Sequence, residues 1–181
     1  RDIPWLLNQW VERTPDKVFL HWSPFDLEDA SWTYAEFQQQ VILVANNLAK
    51  SGVFAGDRVL IHMDNCPEFL LCWFARAHLG AIAVSTNTRS VARDLTYFAE
   101  FAEVSCAITQ PTFARLLRSS EPKIKSLFVT DGDVPDSEKN ELRPFSELLE
   151  RSTAVATTAR VADPWADLGI QFTSGTTSRP K

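Results

Sequence analysis

The alternation of apolar and polar positions predicts helices and strands that follow one another along the chain. Apolar residues recur at helical spacing over residues 4–14 and again over 33–50. Between these two helices, residues 18–22 and 31–33 are short apolar and aromatic runs separated by a turn. Two such runs joined by a turn favour a β-hairpin.

The helix predicted over 33–50 has a recognisable start and one apolar face. Thr33 and Glu36 form a capping box, in which the Thr33 hydroxyl accepts a bond from a free backbone N–H and Glu36 reaches back to the N–H of Thr33. Gly52 is the expected C-terminal stop. The side chains expected to face the core are Phe37, Val41, Val44, Ala45 and Leu48.

A strand–helix–strand unit comes next. The strands are predicted over residues 58–63 and 81–84, and Gly80 ends the helix between them. Asn65 is the expected cap of that helix, and Pro67 lies in its first turn, where proline is tolerated. Because two strands joined by a helical crossover lie side by side in the same direction, they are expected to pair in parallel.

The same alternation continues to the end of the chain. Helices are expected over 91–101, 111–118 and 145–150, strands over 105–109, 127–130 and 168–172, and irregular segments over 131–143 and 151–163. The strand at 168–172 is a short apolar run and is expected to be buried. This order predicts a doubly wound α/β domain, a mostly parallel sheet flanked by helices. In such folds ligands bind outside the carboxyl ends of the strands.

Composition narrows the class of protein. The 181 residues suffice for one domain, and 45% hydrophobic with 23% charged residues is ordinary for a globular chain. A net charge of −5 argues against a nucleic-acid partner, and no apolar run approaches the length of a membrane span. Three cysteines without regular spacing do not form a disulfide framework, so the expected compartment is the reducing cytoplasm.

The candidate chemistry lies at the end of the chain, in residues 173–181, directly after the last predicted strand. Backbone N–H groups in a hydroxyl-rich turn point at an anion, and Gly175 allows close approach of the backbone. Lys181 adds a mobile positive charge. The residues predicted to contact a polyphosphate are Thr173, Ser174, Gly175, Thr176, Thr177, Ser178 and Lys181.

Other interpretations of this segment fit less well. By composition alone a Ser/Thr-rich linker would be favoured, but the preceding strand and the closing Arg-Pro-Lys argue against one. A Walker A loop needs two glycines and a final Gly-Lys-Ser/Thr, which this segment lacks. The chain also contains no GxGxxG, so a dinucleotide fold has no fingerprint here.

The pattern Thr-Ser-Gly-Thr-Thr-x-x-Pro-Lys at 173–181 resembles the phosphate-binding signature of the acyl-adenylate-forming enzymes. Most members have glycine where this chain has Ser178. The likeness extends to residues 31–36, 56–59 and 65–69. Within the family, residues 64–74 and 178–181 look most like crotonobetaine/carnitine–CoA ligases.

The resemblance implies a fold, a reaction and a set of cofactors. The chain would be the N-terminal part of the large domain of an adenylate-forming enzyme. With ATP and Mg²⁺ the enzyme would convert a small carboxylic acid to an acyl adenylate, and coenzyme A would then take the acyl group as a thioester. Fatty acids are an alternative substrate class.

The resemblance also implies that residues 1–181 are a partial AMP-binding domain, truncated within the phosphate-binding loop. The magnesium-binding glutamate, the acyl pocket and a catalytic lysine would follow Lys181, so no catalytic residue is assigned in this chain. Two other functions stay open: an adenylation domain that loads a carrier protein, and a catalytically dead truncated product that serves as a binding module. The residues themselves indicate no oligomeric state.

Other residues with chemical potential are expected to be structural. His62 ends a predicted strand, and a satisfied structural histidine is the favoured interpretation. Cys66 and Cys72 have no evident paired base and are expected to pack in a helix. Asp64 and Glu68 flank a helix start, where acids favour the dipole. His21 and His78 are scattered along the chain, and Asp131 and Asp133, which resemble a fragment of a metal site, are expected to lie in a polar turn.

Overall fold

The fold is described by a computed structural model of residues 2–120, 124–130, 142–151 and 165–172. Its helices are α1 (Ile3–Arg13), α2 (Tyr34–Lys50), α3 (Pro67–Leu79), α4 (Ala92–Phe101), α5 (Pro111–Ser119) and α6 (Ser146–Leu149). Its strands are β1 (Val18–Trp22), β2 (Ala30–Thr33), β3 (Arg58–His62), β4 (Ile82–Ser85), β5 (Val104–Thr109), β6 (Ser126–Val129), β7 (Arg143–Pro144) and β8 (Gly169–Gln171). Within these ranges, no helix is both long and apolar enough to cross a membrane.

Helix α2 begins as its sequence predicts. The amide of Glu36 donates to the Thr33 hydroxyl at 3.2 Å, and the amide of Thr33 donates to Glu36 Oε2 at 2.8 Å. These two bonds satisfy donors that the first turn would otherwise leave unpaired. The predicted apolar face is buried at every position: Phe37, Val41, Val44, Ala45 and Leu48.

The predicted hairpin is confirmed: β1 pairs antiparallel with β2, from Val18 opposite Thr33 to Trp22 opposite Ala30. An aromatic group fastens it to the helices. Phe19 lies 4.6 Å from Phe37 between ring centroids, and Phe37 meets Phe74 of α3 edge-on at 5.3 Å. Such offset and edge-on pairs stabilise a core beyond the area they bury.

The six remaining strands form one parallel sheet in the order β7-β6-β5-β3-β4-β8. This confirms the predicted α/β class and the parallel pairing of the first crossover. Successive β3 side chains point to opposite faces. Val59 and Ile61 join the core that contains α2 and α3, whereas Leu60 joins the core that contains α4 and α5. The sheet is therefore covered by helices on both faces, as parallel sheets generally are.

Three expectations are corrected. Asn65 does not cap α3: the N-cap is Cys66, which makes no side-chain capping bond, and Pro67 in the first turn already removes one N–H that would need a partner. Arg143, expected in a loop, begins β7, a two-residue strand too short to show a periodicity. The last strand, β8, is exposed at Gly169 and Gln171 because it lies at an edge of the described sheet.

Two predicted irregular segments cannot be compared. Most of 131–143 and of 151–163 lies outside the described residues. The helix predicted over 145–150 is confirmed as α6, and it packs on α2 through Asn47, whose side-chain amide donates to the carbonyl oxygens of Leu148 at 2.9 Å and Glu150 at 3.0 Å. A buried amide with two carbonyl partners fixes the approach of α6.

The capping box of α2 gives a stability prediction. Thr33→Ala should lower the free energy of unfolding by about 1 kcal/mol, because it removes the hydroxyl that accepts from the Glu36 amide. Thr33→Ser keeps that hydroxyl and should stay within a few tenths of a kcal/mol of the wild type. Urea unfolding of both variants measures the difference. Equal losses in the two variants would show that the threonine methyl group, and not the cap, is what matters.

Candidate functional site

The residues predicted to bind phosphate, 173–178 and Lys181, lie outside the described residues. The structure does place the strand that leads to them. Strand β8 pairs in parallel with β4, with Val84 opposite Ile170 and Ser85 opposite Gln171. Because the strands are parallel, β8 and β4 end at the same edge of the sheet. The chain thus leaves β8 towards residue 173 at the carboxyl edge, where ligands bind in α/β folds.

The amino end of β8 is attached to α3 as well as to β4. The amide of Ala83 donates to the Leu168 carbonyl at 3.3 Å, and Arg76 Nη1 donates to the same oxygen. Arg76 is fully buried, and its guanidinium carbon lies 4.5 Å from the centroid of the Trp73 ring. A cation over an indole face is favourably placed.

The carboxyl end of β8 is attached to α4. The ring of Phe172 stacks on Phe98, with 4.1 Å between centroids and 25° between planes. The rings of Tyr97 and Phe101 lie beside the same pair, with centroids 6.1 and 6.0 Å from that of Phe172. Phe172 is the residue directly before Thr173, so this aromatic group fixes the point from which the predicted phosphate loop departs.

Polar side chains gather at the same edge, at the ends of β3, β4 and β5. The Thr86 hydroxyl lies 2.8 Å from His62 Nδ1, and the Thr109 hydroxyl donates to the His62 carbonyl at 2.6 Å. Beside them, the Thr88 hydroxyl donates to Asp64 Oδ1 at 2.8 Å. These bonds tie the loops after three neighbouring strands together.

His62 is buried completely and packs edge-on against Phe113 at 5.0 Å. Burial lowers the pKa of its imidazole, and the nearby negative charge of Asp64 opposes that shift only in part. Within the described residues Nε2 has no hydrogen-bond partner. The buried imidazole therefore meets the expectation of a satisfied structural histidine at Nδ1 but not at Nε2.

The cysteines are not poised as nucleophiles. Burial raises the pKa of the Cys66 and Cys106 thiols to about 12, and raises that of Cys72 well above its ordinary value. A thiol rather than a thiolate therefore persists at neutral pH, and only the thiolate is reactive. Across the described part of the chain, no group of three or more His, Cys, Asp or Glu side chains could hold a metal ion.

Comparison with known proteins identifies the family. The family model described as "AMP-binding enzyme" matches residues 7–181, nearly the whole chain. The chain belongs to the AMP-binding enzyme family. The matched range includes both the described sheet and the segment 173–181, so the likeness recognised in that segment extends through the scaffold.

Individual relatives agree. A crotonobetaine/carnitine–CoA ligase of Salmonella paratyphi A is 33% identical over 156 residues, which are 83% of this chain and 29% of the relative. Mycobacterium smegmatis MbtA superposes with a TM-score of 0.82 at 26% identity, over 100% of this chain and 33% of MbtA. The anthranilate CoA ligase AuaEII, at 19% identity, shares the fold with a TM-score of 0.81 over 99% of this chain and 33% of its own. The chain thus spans about a third of the length of these relatives.

Sequence reasoning predicted a phosphate-binding segment at 173–181 but not the contacts of the strand that leads to it. In the sequence, Arg76 is a polar residue near the end of a predicted helix, where a charged side chain is usually exposed. No motif indicates that its side chain is buried. Phe98 lies on the apolar face of α4, so burial was predictable from its spacing. Its contact with Phe172 was not, because that contact joins residues far apart along the chain.

The lowered pKa of His62 predicts a pH dependence. In the unfolded chain this imidazole titrates near pH 6.5, about its ordinary value. Below that pH the unfolded state binds a proton that the folded state does not, so stability is lost as the pH falls. His62→Asn lacks that loss, and the stability difference between wild type and variant should shift towards the variant between about pH 7.5 and 5.5.

Urea midpoints at several pH values measure this shift. Thr86→Val is the matched control, because it removes the partner of Nδ1 and leaves the imidazole in place. That control should keep the acid-side loss of stability. If the difference between wild type and His62→Asn does not change with pH, His62 does not hold a lowered pKa.

Proposed function

We propose that residues 1–181 are the N-terminal part of an ATP-dependent acid–CoA ligase that forms an acyl adenylate and then an acyl-CoA thioester. One observation carries the proposal: the segment 173–181, Thr-Ser-Gly-Thr-Thr-Ser-Arg-Pro-Lys, follows β8 at the carboxyl edge of a parallel sheet in an AMP-binding enzyme. In α/β sheets that edge is where ligands bind. Because the chain spans about a third of its relatives, the remaining catalytic parts would lie outside it.

The donor set of this segment fits the polyphosphate of ATP. Backbone amides around Gly175 can point at phosphate oxygens, and the hydroxyls at 173, 174 and 176–178 can donate to them or to the water shell of a magnesium ion. Lys181 would neutralise charge that builds on the leaving pyrophosphate. With ATP bound, the α-phosphate would be the group that the substrate carboxylate attacks.

Coenzyme A is the favoured acyl acceptor. The curated relatives at 30–33% identity are named crotonobetaine/carnitine–CoA ligases. A carrier protein as acceptor and a catalytically dead binding module are the alternatives, and they are outcomes of the tests below. The expected compartment remains the cytoplasm, in which the free thiols of Cys66, Cys72 and Cys106 would stay reduced.

The relatives favour a small acid with a quaternary ammonium group, crotonobetaine or carnitine, as the substrate. Proteins hold such cations with aromatic faces or a carboxylate. The rings of Phe19, Phe37 and Phe74 pack against one another in the core, and we expect the acyl pocket to be built from other parts of the protein. A fatty acid is the alternative substrate.

The test of the proposed reaction is ATP–pyrophosphate exchange by the full-length protein. Lys181→Ala should slow exchange about ten- to a hundredfold, since a charge-assisted bond to phosphate contributes roughly 1.5–3 kcal/mol. Thioester formation from a supplied adenylate should change much less. Ser178→Gly introduces the residue that most members have at this position, so the enzyme should tolerate it, and KM for ATP should rise severalfold if the Ser178 hydroxyl donates to phosphate.

Residues 1–181 alone should give no exchange, because a loop by itself cannot orient both the acid and the α-phosphate. ATP–pyrophosphate exchange by residues 1–181 alone would contradict the proposal that the catalytic site is completed by residues outside this chain. Equal losses in both half-reactions for Lys181→Ala would place Lys181 in the fold or in the coenzyme A step. Exchange without thioester formation from coenzyme A would point to a carrier protein, and no exchange with any acid to a dead module.

The substrate prediction is a preference for the quaternary ammonium acids. Turnover of crotonobetaine and carnitine by the full-length protein should exceed that of uncharged acids of similar and greater length. The comparison is made as kcat/KM for each acid at saturating ATP and coenzyme A. A preference for the uncharged acids would remove this substrate class and leave the acid–CoA ligase reaction standing.

A further inference from the structure

We propose that Arg76 and Phe98 are positioning residues that hold β8 in register on β4 and so place the phosphate-binding segment. The inference rests on the proposed role of residues 173–181. Neither side chain is expected to touch ATP. Each acts through β8, Arg76 at its amino end and Phe98 at its carboxyl end.

Strand β8 needs such support because, within the described residues, it pairs with β4 at only three positions. It has three residues, and Gly169 and Gln171 are exposed. A strand with so few paired positions specifies its register weakly. A slip by one residue would move the start of the phosphate segment by about 3.3 Å and turn every β8 side chain to the opposite face.

Arg76 connects both strands through one residue. Its backbone carbonyl accepts from the amide of Ala81, directly before β4, at 2.9 Å. Its side chain donates to the carbonyl of Leu168, directly before β8. The residues directly before β4 and β8 are therefore both hydrogen-bonded to the same residue of α3. Trp73 lies over the guanidinium and restricts its orientation.

Phe98 holds the other end. It is 6% exposed in the core beneath α4, and Phe172 stacks on it at 4.1 Å. Phe172 immediately precedes Thr173. Its contact with Phe98 therefore sets the position along the strand, and the face of the sheet, from which the phosphate segment departs. In a strand shifted by one residue, Phe172 would lie on the opposite face and lose this ring.

The expected consequence is a loss that falls on ATP. A displacement of about 1 Å in a catalytic group can lower rates about a hundredfold. Arg76→Met and Phe98→Leu in the full-length protein should each raise KM for ATP or lower the exchange rate, with a combined fall in kcat/KM of about ten- to a hundredfold. Thioester formation from a supplied adenylate should change much less, because that half-reaction does not use the β- and γ-phosphates. Arg76→Lys keeps a donor and should recover part of the loss.

Matched controls separate positioning from general destabilisation. Arg58→Met removes a guanidinium that bonds the Ala102 carbonyl at 2.6 Å, and Arg58 pairs with β4 and β5 at the amino end of β3, away from the phosphate segment. Phe128→Leu removes a fully buried ring on β6, which is separated from β4 by the two strands β5 and β3. Both controls should lower the unfolding midpoint and leave KM for ATP unchanged.

Hydrogen exchange supplies a readout that needs no activity. The amide of Ala83, which donates to Leu168, and the amides of 169–172 should exchange faster in Arg76→Met and in Phe98→Leu than in wild type or in the two controls. If these amides lose their protection from hydrogen exchange while KM for ATP and the rate of ATP–pyrophosphate exchange stay at wild-type values, the register of β8 does not position the phosphate segment. Unchanged protection would also overturn the inference.

The failure of this inference is distinguishable from failure of the proposed function. If the wild-type protein catalyses no exchange with any acid, the proposed reaction is wrong, and the hydrogen-exchange comparison still decides whether Arg76 and Phe98 hold β8. If Arg76→Met does not fold, Phe98→Leu tests the same displacement from the other end. If the rates of both half-reactions fall equally in the Arg76 and Phe98 variants and in the control variants, Arg76 and Phe98 only stabilise the fold.

Discussion

Burial of β3 on both faces is the constraint on which the remaining structure depends. Val59, Leu60 and Ile61 have no exposed surface, and they divide between the core under α2 and α3 and the core under α4 and α5. A strand covered on both faces needs partners on both edges and helices above and below. Strands β4 and β5 supply the partners, and the crossover helices follow from their parallel direction.

That arrangement brings the ends of the parallel strands to one edge of the sheet. Bonds among His62, Thr86 and Thr109 join the ends of β3 and β5 to the loop after β4 there, and β8 brings the start of the predicted phosphate segment beside β4. The charges and hydroxyls of 173–181 would thus be carried by a rigid edge of the sheet. A rigid scaffold that carries a reactive loop is the usual division of labour in enzymes.

Local signals predicted most of this fold. The Thr33–Glu36 capping box and the apolar spacing of α2 depend only on residues close together in the sequence, and both are confirmed. Interactions across the chain were not predictable in the same way. The two-residue β7 exists only because β6 pairs with it, and the exposure of β8 follows from its place at an edge. The burial of Arg76 depends on the segment before β8, which lies far from α3 along the chain.

We propose that residues 173–181 hold the phosphates of ATP at the carboxyl edge beside β4. A crystal structure of the full-length protein with Mg²⁺ and a non-hydrolysable ATP analogue tests it most directly. The account predicts backbone amides of 173–178 and Lys181 Nζ within hydrogen-bond distance of the β- and γ-phosphate oxygens, with Phe172 stacked on Phe98. A triphosphate bound elsewhere, with this segment making no contact to it, would contradict the account.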